Sequence, residues 1–139
     1  LQTELRQQPG NLPDAIDEIL RIHAPLIANR RVTTCPVELS GRKIEAGERL
    51  TLIWAAANRD ETVFGDPDVY DPERNRDHNL LYGAGVHVCP GAPLARLELR
   101  LLMESLLANT REITLVTELE PERARFPASG FSSLAVRFQ

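Results

Sequence analysis

Hydrophobic positions near the amino terminus recur at the three- to four-residue interval of one helix face. These positions are Ile16, Ile19, Leu20 and Ile22. Pro13 suits a first helical turn because its missing N–H would have no partner there, and Pro25 disfavours helix at the residue before it. The pattern therefore predicts an amphipathic helix that begins near Leu12 and ends before Pro25. The preceding residues, Leu1–Gln8, have weaker helical character and end at a Pro-Gly pair.

Short segments in which apolar and polar residues alternate predict strands. They are Arg31–Thr34, Val37–Leu39, Leu50–Trp54, Ile113–Val116 and Leu134–Phe138. The stretch Glu45–Glu48 contains a glycine and predicts a hairpin turn. We therefore expect small β-hairpins rather than one large sheet.

A non-periodic segment and a strong helix follow. Residues Ala57–Leu80 contain two Asp-Pro turn signals and predict a long irregular segment, which in a folded domain usually serves a function. From about Ala92 to Ala108 the sequence predicts a helix that is apolar over much of its circumference, so we expect it to be largely buried. Its apolar residues are Leu94, Leu97, Leu101, Leu102, Met103 and Leu106. The predicted class is α+β, mainly helical, with residues 1–139 as a single domain.

Composition and charge exclude several classes of protein. The chain has 139 residues, of which 42% are hydrophobic, enough for one core. Its formal net charge of −4 provides no overall basic field for nucleic acid. The chain contains no run of about 18 apolar residues, so the sequence predicts no membrane span. The two cysteines, Cys35 and Cys89, are too few for a disulfide framework, which favours a cytoplasmic protein with reduced thiols.

Cys89 is the candidate centre of chemistry. It lies directly before the long helix, where free backbone N–H groups and the helix dipole favour a thiolate. Gly83 and Gly91 flank it and allow close approach of a large, flat ligand. Spacing alone leaves three other interpretations open: a buried structural cysteine, a nucleophile with His87 as its base, or a zinc site completed by His78 and His87.

The glycine-rich loop around Cys89 carries a family resemblance. Tyr82–Gly91 reads Tyr-Gly-Ala-Gly-Val-His-Val-Cys-Pro-Gly. This segment closely resembles the haem-binding loop of the cytochrome P450 superfamily. Other segments resemble further parts of bacterial members in the same order: Glu18–Arg21, Ala57–Asp60, Asp66–Arg74, Ala92–Glu98 and Ser129–Leu134. The similarity runs along nearly all of the chain.

The resemblance implies roles around a haem b cofactor. Cys89 would be the axial thiolate ligand of the iron. His87 and Arg31 match positions that bind the haem propionates, with the adjacent Arg30 as the alternative to Arg31. The other cofactor-binding residues implied by the matched loop are Tyr82, Gly83 and Gly91. Tyr82 stands where the family usually has phenylalanine.

The resemblance also implies a structural network below the haem. Glu18 and Arg21 are three residues apart on one helix face, so they can form an ion pair. Arg74, from the irregular segment, is expected to join them and to fix that segment in place. Removal of any one partner should then cost about 3–5 kcal/mol, because it leaves a buried charge unpaired.

For the whole protein, the resemblance implies a monooxygenase, an oxidoreductase that inserts one oxygen atom into a small organic substrate. A ferredoxin-type partner would supply electrons, and three arginines on or near the long helix could meet such an acidic partner: Arg96, Arg100 and Arg111. The signature of the family's oxygen-activating distal helix does not occur in the chain, which opens at Leu1. We therefore expect a truncated protein, the carboxy-terminal haem-binding portion with the distal-helix half absent, and we assign no catalytic residue.

Without a distal helix, the enzymatic activity of this chain alone stays open, and two alternatives stand beside the monooxygenase. The chain could be a non-enzymatic haem-binding module. It could also be a haem-free remnant that acts through protein contacts, including self-association through an exposed distal surface. The residues expected on that surface are Ile16, Leu26, Ile27, Trp54 and Phe131.

Overall fold

Two groups of helices are each followed by a group of four short strands in a computed structural model that describes all of residues 1–139. The helices are α1 Gln2–Gln7, α2 Leu12–His23, α3 Trp54–Ala57, α4 Glu61–Phe64, α5 Pro72–Asn75 and α6 Ala92–Asn109. The strands are β1 Ala28–Val32, β2 Val37–Leu39, β3 Arg42–Ile44, β4 Arg49–Ile53, β5 Ile113–Leu115, β6 Glu122–Arg123, β7 Phe131–Ser133 and β8 Val136–Phe138. With the 3₁₀ turns Pro9–Asn11, Arg76–His78 and Gly85–His87 included, helix accounts for 41% of the residues. Strand accounts for 21% when the isolated bridge between Leu26 and Ala128 is included, so the predicted α+β class with mainly helical content is confirmed.

The strands form four separate antiparallel pairs: β1 with β4, β2 with β3, β5 with β8 and β6 with β7. Small sheets were predicted, but β1 begins at Ala28 rather than at Arg31. The stretch Glu45–Glu48 connects β3 to β4, which belong to different pairs, so the hairpin turn predicted there is wrong. The sequence did not predict β3, β6 or β7, because two or three residues are too few to show an alternating pattern.

Helices α1, α2 and α6 together enclose the main hydrophobic core. Its members are Leu5, Leu12, Ala15, Ile16 and Leu107. Ile16 is only 7% exposed, so its predicted place on an exposed surface is wrong. The amphipathic face of α2 explains this, because Ile16 is one of the residues that α2 turns towards α6. Leu26 and Phe131, predicted on the same surface, are each 43% exposed.

Helix α6 is far less buried than its sequence predicts. Only Ala92 and Leu107 are buried in it, whereas four of its leucines are between 44% and 59% exposed: Leu94, Leu97, Leu101 and Leu102. The prediction of a largely buried helix is therefore wrong for this chain. The physical reason is that α6 has apolar residues on several sides, whereas its main packing partners, α1 and α2, cover only part of its circumference. None of the helices combines the length and the apolar run needed to cross a lipid bilayer.

The segment between β4 and the Cys89 loop contains several single helical turns, and two of them, α4 and α5, have capped starts. Asp60 accepts a hydrogen bond from the Thr62 backbone N–H (2.9 Å) at the start of α4. Asp71 accepts one from the Arg74 backbone N–H (3.0 Å) at the start of α5. These carboxylates satisfy N–H groups that have no partner within the helix. Helices α4 and α5 have four residues each, which is why the sequence shows no periodicity there.

Candidate functional site

The loop Tyr82–Gly91 has a backbone that its glycines make possible. The Cys89 N–H donates to the Tyr82 carbonyl oxygen over 2.8 Å, which closes the loop directly before α6. Gly83 has a φ of +76°, and a Cβ at this position would lie 3.3 Å from the His87 carbonyl oxygen. The positive φ favours glycine at position 83, and a side chain there would also be in tight contact with the His87 backbone. A Cβ on Gly91 would lie 3.8 Å from Cys89 Sγ, at ordinary van der Waals contact, and Cys89 is exposed.

A groove of about 640 Å³ lies beside this loop and gathers most of the predicted cofactor-binding residues. Eight of its thirteen lining residues are hydrophobic. The lining consists of Leu20, Pro25, Leu26, Asn29, Arg31, Trp54, Leu81, Tyr82, Gly83, His87, Cys89, Ala95 and Leu99. The predicted residues Cys89, His87, Arg31, Tyr82 and Gly83 thus line one space, whereas Gly91 lies next to Cys89 outside that lining. Groove volumes of this size are typical of sites for organic ligands.

Strand alternation decides which of two adjacent arginines faces the groove. In β1, Asn29 and Arg31 are two residues apart and both line the groove, while Arg30 does not. The Arg31 guanidinium donates to the Arg30 carbonyl oxygen over 2.8 Å and forms no ion pair with a carboxylate. It is therefore a free cationic donor on the groove side of the sheet, and such a group favours an anionic ligand.

Glu18 and Arg21 form a buried, bidentate ion pair on α2. The Arg21 Nε and Nη2 donate to Glu18 over 2.8 and 2.9 Å. The remaining donors of Arg21 bind backbone carbonyl oxygens of the irregular segment, Asn58 at 2.6 Å and Pro67 at 2.8 Å. The Arg21 side chain is 0% exposed and the Glu18 side chain 2%. The pair therefore fixes α2 to the segment that leads to the Cys89 loop.

Asn75, rather than Arg74, is the residue of the irregular segment that contacts Glu18. The Asn75 Nδ2 donates to Glu18 Oε1 over 2.8 Å, and the Asp71 N–H donates to the same oxygen over 3.1 Å. The predicted direct contact from Arg74 does not occur: this side chain is 48% exposed and lies 3.4 Å from Asp71. It reaches the network only indirectly, through a 3.3 Å hydrogen bond from its Nε to Asn75 Oδ1. Arg74 and Asn75 are successive residues of the single turn α5, and successive helical residues point in directions about 100° apart, so Asn75 can be buried while Arg74 is half-exposed.

Two buried asparagines belong to the network although the sequence did not predict them there. Asn58 and Asn75 are each 1% exposed. The Asn58 Oδ1 accepts from the Leu80 N–H over 2.8 Å and so holds the chain just before the Cys89 loop. The sequence offered an indication for Asn75, because it directly follows Arg74 and lies close after the Asp71 cap. It offered none for Asn58 beyond the place of this residue in the segment Ala57–Asp60 that resembles the family.

The network lowers the pKa of Glu18. Burial alone would raise this pKa, because desolvation disfavours a carboxylate. Hydrogen bonds from Arg21, from the Asp71 N–H and from Asn75, together with the Arg21 charge, outweigh burial and hold the pKa below its usual range. Glu18 is therefore an anion at neutral pH.

A second set of contacts surrounds Tyr82. The Arg96 guanidinium lies 4.6 Å from the centre of the Tyr82 ring. Its Nε and Nη2 lie 2.9 and 2.7 Å from Asp17 Oδ2 on α2. Burial, reinforced by the charges of Asp17 and Cys89 and opposed by that of Arg96, raises the pKa of Tyr82, so its phenol is neutral at physiological pH. Arg100, also predicted to meet an acidic partner, pairs with Glu104 at 3.6 Å.

The zinc interpretation of Cys89 has no geometric support. No three side chains among histidine, cysteine, aspartate and glutamate are grouped so as to hold a metal ion. His78, His87 and Cys89 therefore do not form the ligand set that this alternative requires. Cys89 is therefore a lone, exposed sulfur at an apolar groove.

Comparison with known proteins identifies the family to which this fold and site belong. The sequence profile of the family Cytochrome P450 matches residues 4–128. The chain belongs to this family. It is 40% identical over 136 residues to a steroid C26-monooxygenase of Mycobacterium tuberculosis, an alignment that covers 96% of this chain and 37% of the relative. It is 36% identical to the 20-oxo-5-O-mycaminosyltylactone 23-monooxygenase of Streptomyces fradiae, over 92% of this chain and 30% of that protein.

Solved structures show the same relationship. CYP109E1 from Bacillus megaterium, solved in complex with corticosterone, superposes with a TM-score of 0.91 at 30% identity, over 98% of this chain and 37% of that one. The ligand-free cytochrome P450 TbtJ1 gives a TM-score of 0.91 at 33% identity, over 99% of this chain and 36% of that structure. The chain therefore has the fold of one portion of these proteins and spans little more than a third of their length.

Proposed function

We propose that the chain binds haem b in the groove, with Cys89 as the thiolate ligand of the iron. The observation that supports this is the convergence of an accessible sulfur, an unpaired guanidinium and apolar walls on one space. The residues fit the group: Arg31 and His87 are suited to bind the propionates, and Leu20, Leu26, Trp54 and Leu99 provide an apolar lining for the macrocycle. Tyr82, Gly83 and Gly91 shape the loop beside it.

In this proposal each residue of the chain has a defined task. Haem bound through a thiolate supplies oxygen activation, because the sulfur donates electron density that favours O–O cleavage. Arg31 and His87 orient the cofactor through its carboxylates. The apolar side chains keep water from the sulfur side. Glu18, Arg21 and Asn75 hold the irregular segment so that the Cys89 loop keeps its place, and none of these residues is a catalytic residue.

We further propose that residues 1–139 act as one unit, the carboxy-terminal haem-binding portion of a monooxygenase. The reaction of the whole protein is the insertion of one oxygen atom into an organic substrate, as the names of the two monooxygenase relatives suggest. The distal helix that activates oxygen in the family would come from outside these residues. Electrons would come from a ferredoxin-type partner. These assignments rest on the family and on the groove, and they do not specify the substrate.

The test is the absorption spectrum of the purified chain after addition of haem, reduction and exposure to carbon monoxide. We expect a strongly red-shifted Soret band, the signature of thiolate ligation. Cys89→Ser should lose this band, because a hydroxyl does not replace the thiolate. Cys35→Ser is the matched control: it changes the other exposed thiol, which lies between β1 and β2, and should keep the band. A band that is absent from the unmodified chain, or unchanged in Cys89→Ser, contradicts the proposal.

A further inference from the structure

Asp17 of α2 contacts the chain on both sides of the Cys89 loop. Ahead of the loop, the Asn79 Nδ2 donates to the Asp17 backbone carbonyl oxygen over 3.0 Å. Behind the loop, the Arg96 guanidinium binds the Asp17 carboxylate at 2.7 and 2.9 Å. One residue of α2 thus fixes the point where the chain enters the loop and the point where it leaves.

Tyr82 connects these contacts to the sulfur-bearing residue. Its carbonyl oxygen accepts the hydrogen bond from the Cys89 N–H, at 2.8 Å. Its ring lies against the Arg96 guanidinium, 4.6 Å from ring centre to guanidinium carbon, a distance at which a cation and an aromatic face attract each other. The planar guanidinium can bind a carboxylate through its edge and an aromatic ring through its face at the same time, which an ammonium group cannot do equally well.

The Arg96 pair differs from an ordinary surface ion pair on the same helix. Arg100 and Glu104 lie within α6, at 3.6 Å, and both side chains are 44% exposed. Arg96 is 52% exposed and Asp17 25%, so the difference lies less in burial than in connection: Arg96 joins α6 to a different helix and to the loop. The Asp17 hydrogen bond raises the pKa of Arg96, in keeping with a tightly held guanidinium.

We propose that Asp17 and Arg96 are positioning residues that, with the Tyr82 ring, clamp the Cys89 loop onto α2. Below, these three residues are called the Asp17–Arg96–Tyr82 clamp. It holds the Tyr82 backbone in place, and through the Cys89 N–H it fixes the orientation of the cysteine. The ligand for which Cys89 is oriented is the haem iron, so this part of the inference rests on the proposed function.

The first test measures loop rigidity in the haem-free chain by hydrogen–deuterium exchange of peptides that cover residues 79–91. We expect Asp17→Asn and Arg96→Gln to raise exchange of the Cys89 amide about three- to tenfold, as loss of one ion pair and one cation–π contact predicts. Arg96→Lys keeps the charge but loses the planar fork, so its exchange should lie between those of Arg96→Gln and the unmodified chain. Arg100→Gln removes the same charge one turn further along α6 and should leave the loop unchanged.

Loop exchange that is unchanged in both Asp17→Asn and Arg96→Gln overturns the clamp. So does an equal rise in Arg100→Gln, since that would be an effect of charge alone. Circular dichroism of each variant separates a loosened loop from a misfolded chain. If Arg96→Gln fails to fold, the result for Asp17→Asn decides whether the clamp exists, because asparagine has nearly the same volume as aspartate.

The second test measures haem retention, as the rate of haem loss to an excess of a haem-binding scavenger. We expect haem loss to be about three- to tenfold faster in Asp17→Asn and Arg96→Gln than in Arg100→Gln. Variants that exchange faster in the loop but lose haem at the unmodified rate overturn the link from the clamp to Cys89 ligation. If the unmodified chain takes up no haem, the proposed function fails, while the exchange measurement still decides whether the clamp exists.

Discussion

At the scale of single residues, the burial of Arg21 is explained by the number of its partners. Its guanidinium donates to Glu18 and to the carbonyl oxygens of Asn58 and Pro67, and its face lies 4.7 Å from the centre of the Phe64 ring. A buried cation is tolerated only when such partners replace water. Because Glu18 is satisfied by the same set of groups, the network stabilises the fold only when it is complete.

The first prediction distinguishes Asn75 from Arg74. Asn75→Ala should lower the free energy of unfolding by about 1–3 kcal/mol, because it removes a buried hydrogen-bond donor to the Glu18 carboxylate. Arg74→Ala, in a half-exposed side chain, should cost only about 0–1 kcal/mol. Urea unfolding of both variants measures the difference. If Arg74→Ala lowered the free energy of unfolding more than Asn75→Ala, Arg74 would be the main partner of Glu18, which would contradict the geometry described above.

At the scale of elements, the sequence predicts best where a periodic pattern is long. Helices α2 and α6 were predicted within a residue or two of their ends because each has several regularly spaced apolar residues. The short turns α4 and α5 have no such pattern, and the contacts that Asn58 and Asn75 make inside the network are long-range. Local sequence therefore predicted that the irregular segment exists, but not which of its side chains point inwards.

The direction of side chains in strand β1 determines which of two adjacent arginines faces the groove. Adjacent residues of a strand face opposite sides, so Arg30 and Arg31 cannot both face the groove. The family resemblance favoured Arg31, and Arg31 is the arginine that lines the groove, although β1 begins earlier than predicted. The pairing of Arg31 with Leu50, and of Asn29 with Leu52, sets this orientation.

The second prediction follows from this alternation. Arg31→Gln should weaken haem binding by about tenfold to a hundredfold, because it removes a charge-assisted hydrogen bond to a carboxylate. Arg30→Gln, with the same change of charge on the opposite side of β1, should bind haem as the unmodified chain does. Spectroscopic titration with haem measures both dissociation constants. Equal weakening in the two variants would mean that general positive charge, rather than the groove side of β1, binds the cofactor.

At the scale of the whole molecule, the interior is small for the length of the chain. Only 14 of 139 residues are buried, several leucines of α6 remain exposed, and the apolar groove is open. The sequence did not reveal this, because apolar residues predict burial without specifying what covers them. The groove beside the Cys89 loop is such an uncovered apolar surface, because eight of its thirteen lining residues are hydrophobic. A ligand that fills the groove should therefore contribute strongly to stability.

The last prediction concerns this coupling between haem and folding. A ligand that binds only the folded chain stabilises it by about 2.7 kcal/mol when its free concentration is a hundred times the dissociation constant. For a chain of this size, that corresponds to a rise in Tm of about 5–15 °C. Scanning calorimetry with and without haem measures it, and the haem-free Cys89→Ala variant provides the baseline for a chain without the sulfur ligand.

Three ligand conditions separate groove filling from ligation by sulfur. Metal-free protoporphyrin IX can fill the groove and bind Arg31, but it cannot bind Cys89, so it should give only part of the rise in Tm. Haem added to Cys89→Ala should give a similar partial rise, whereas haem added to Cys35→Ser should give the full one. If Cys89→Ala shows the full rise, the cofactor is bound without the thiolate. The stability would then come from burial of apolar surface in the groove, and Cys89 would not be the ligand on which folding depends.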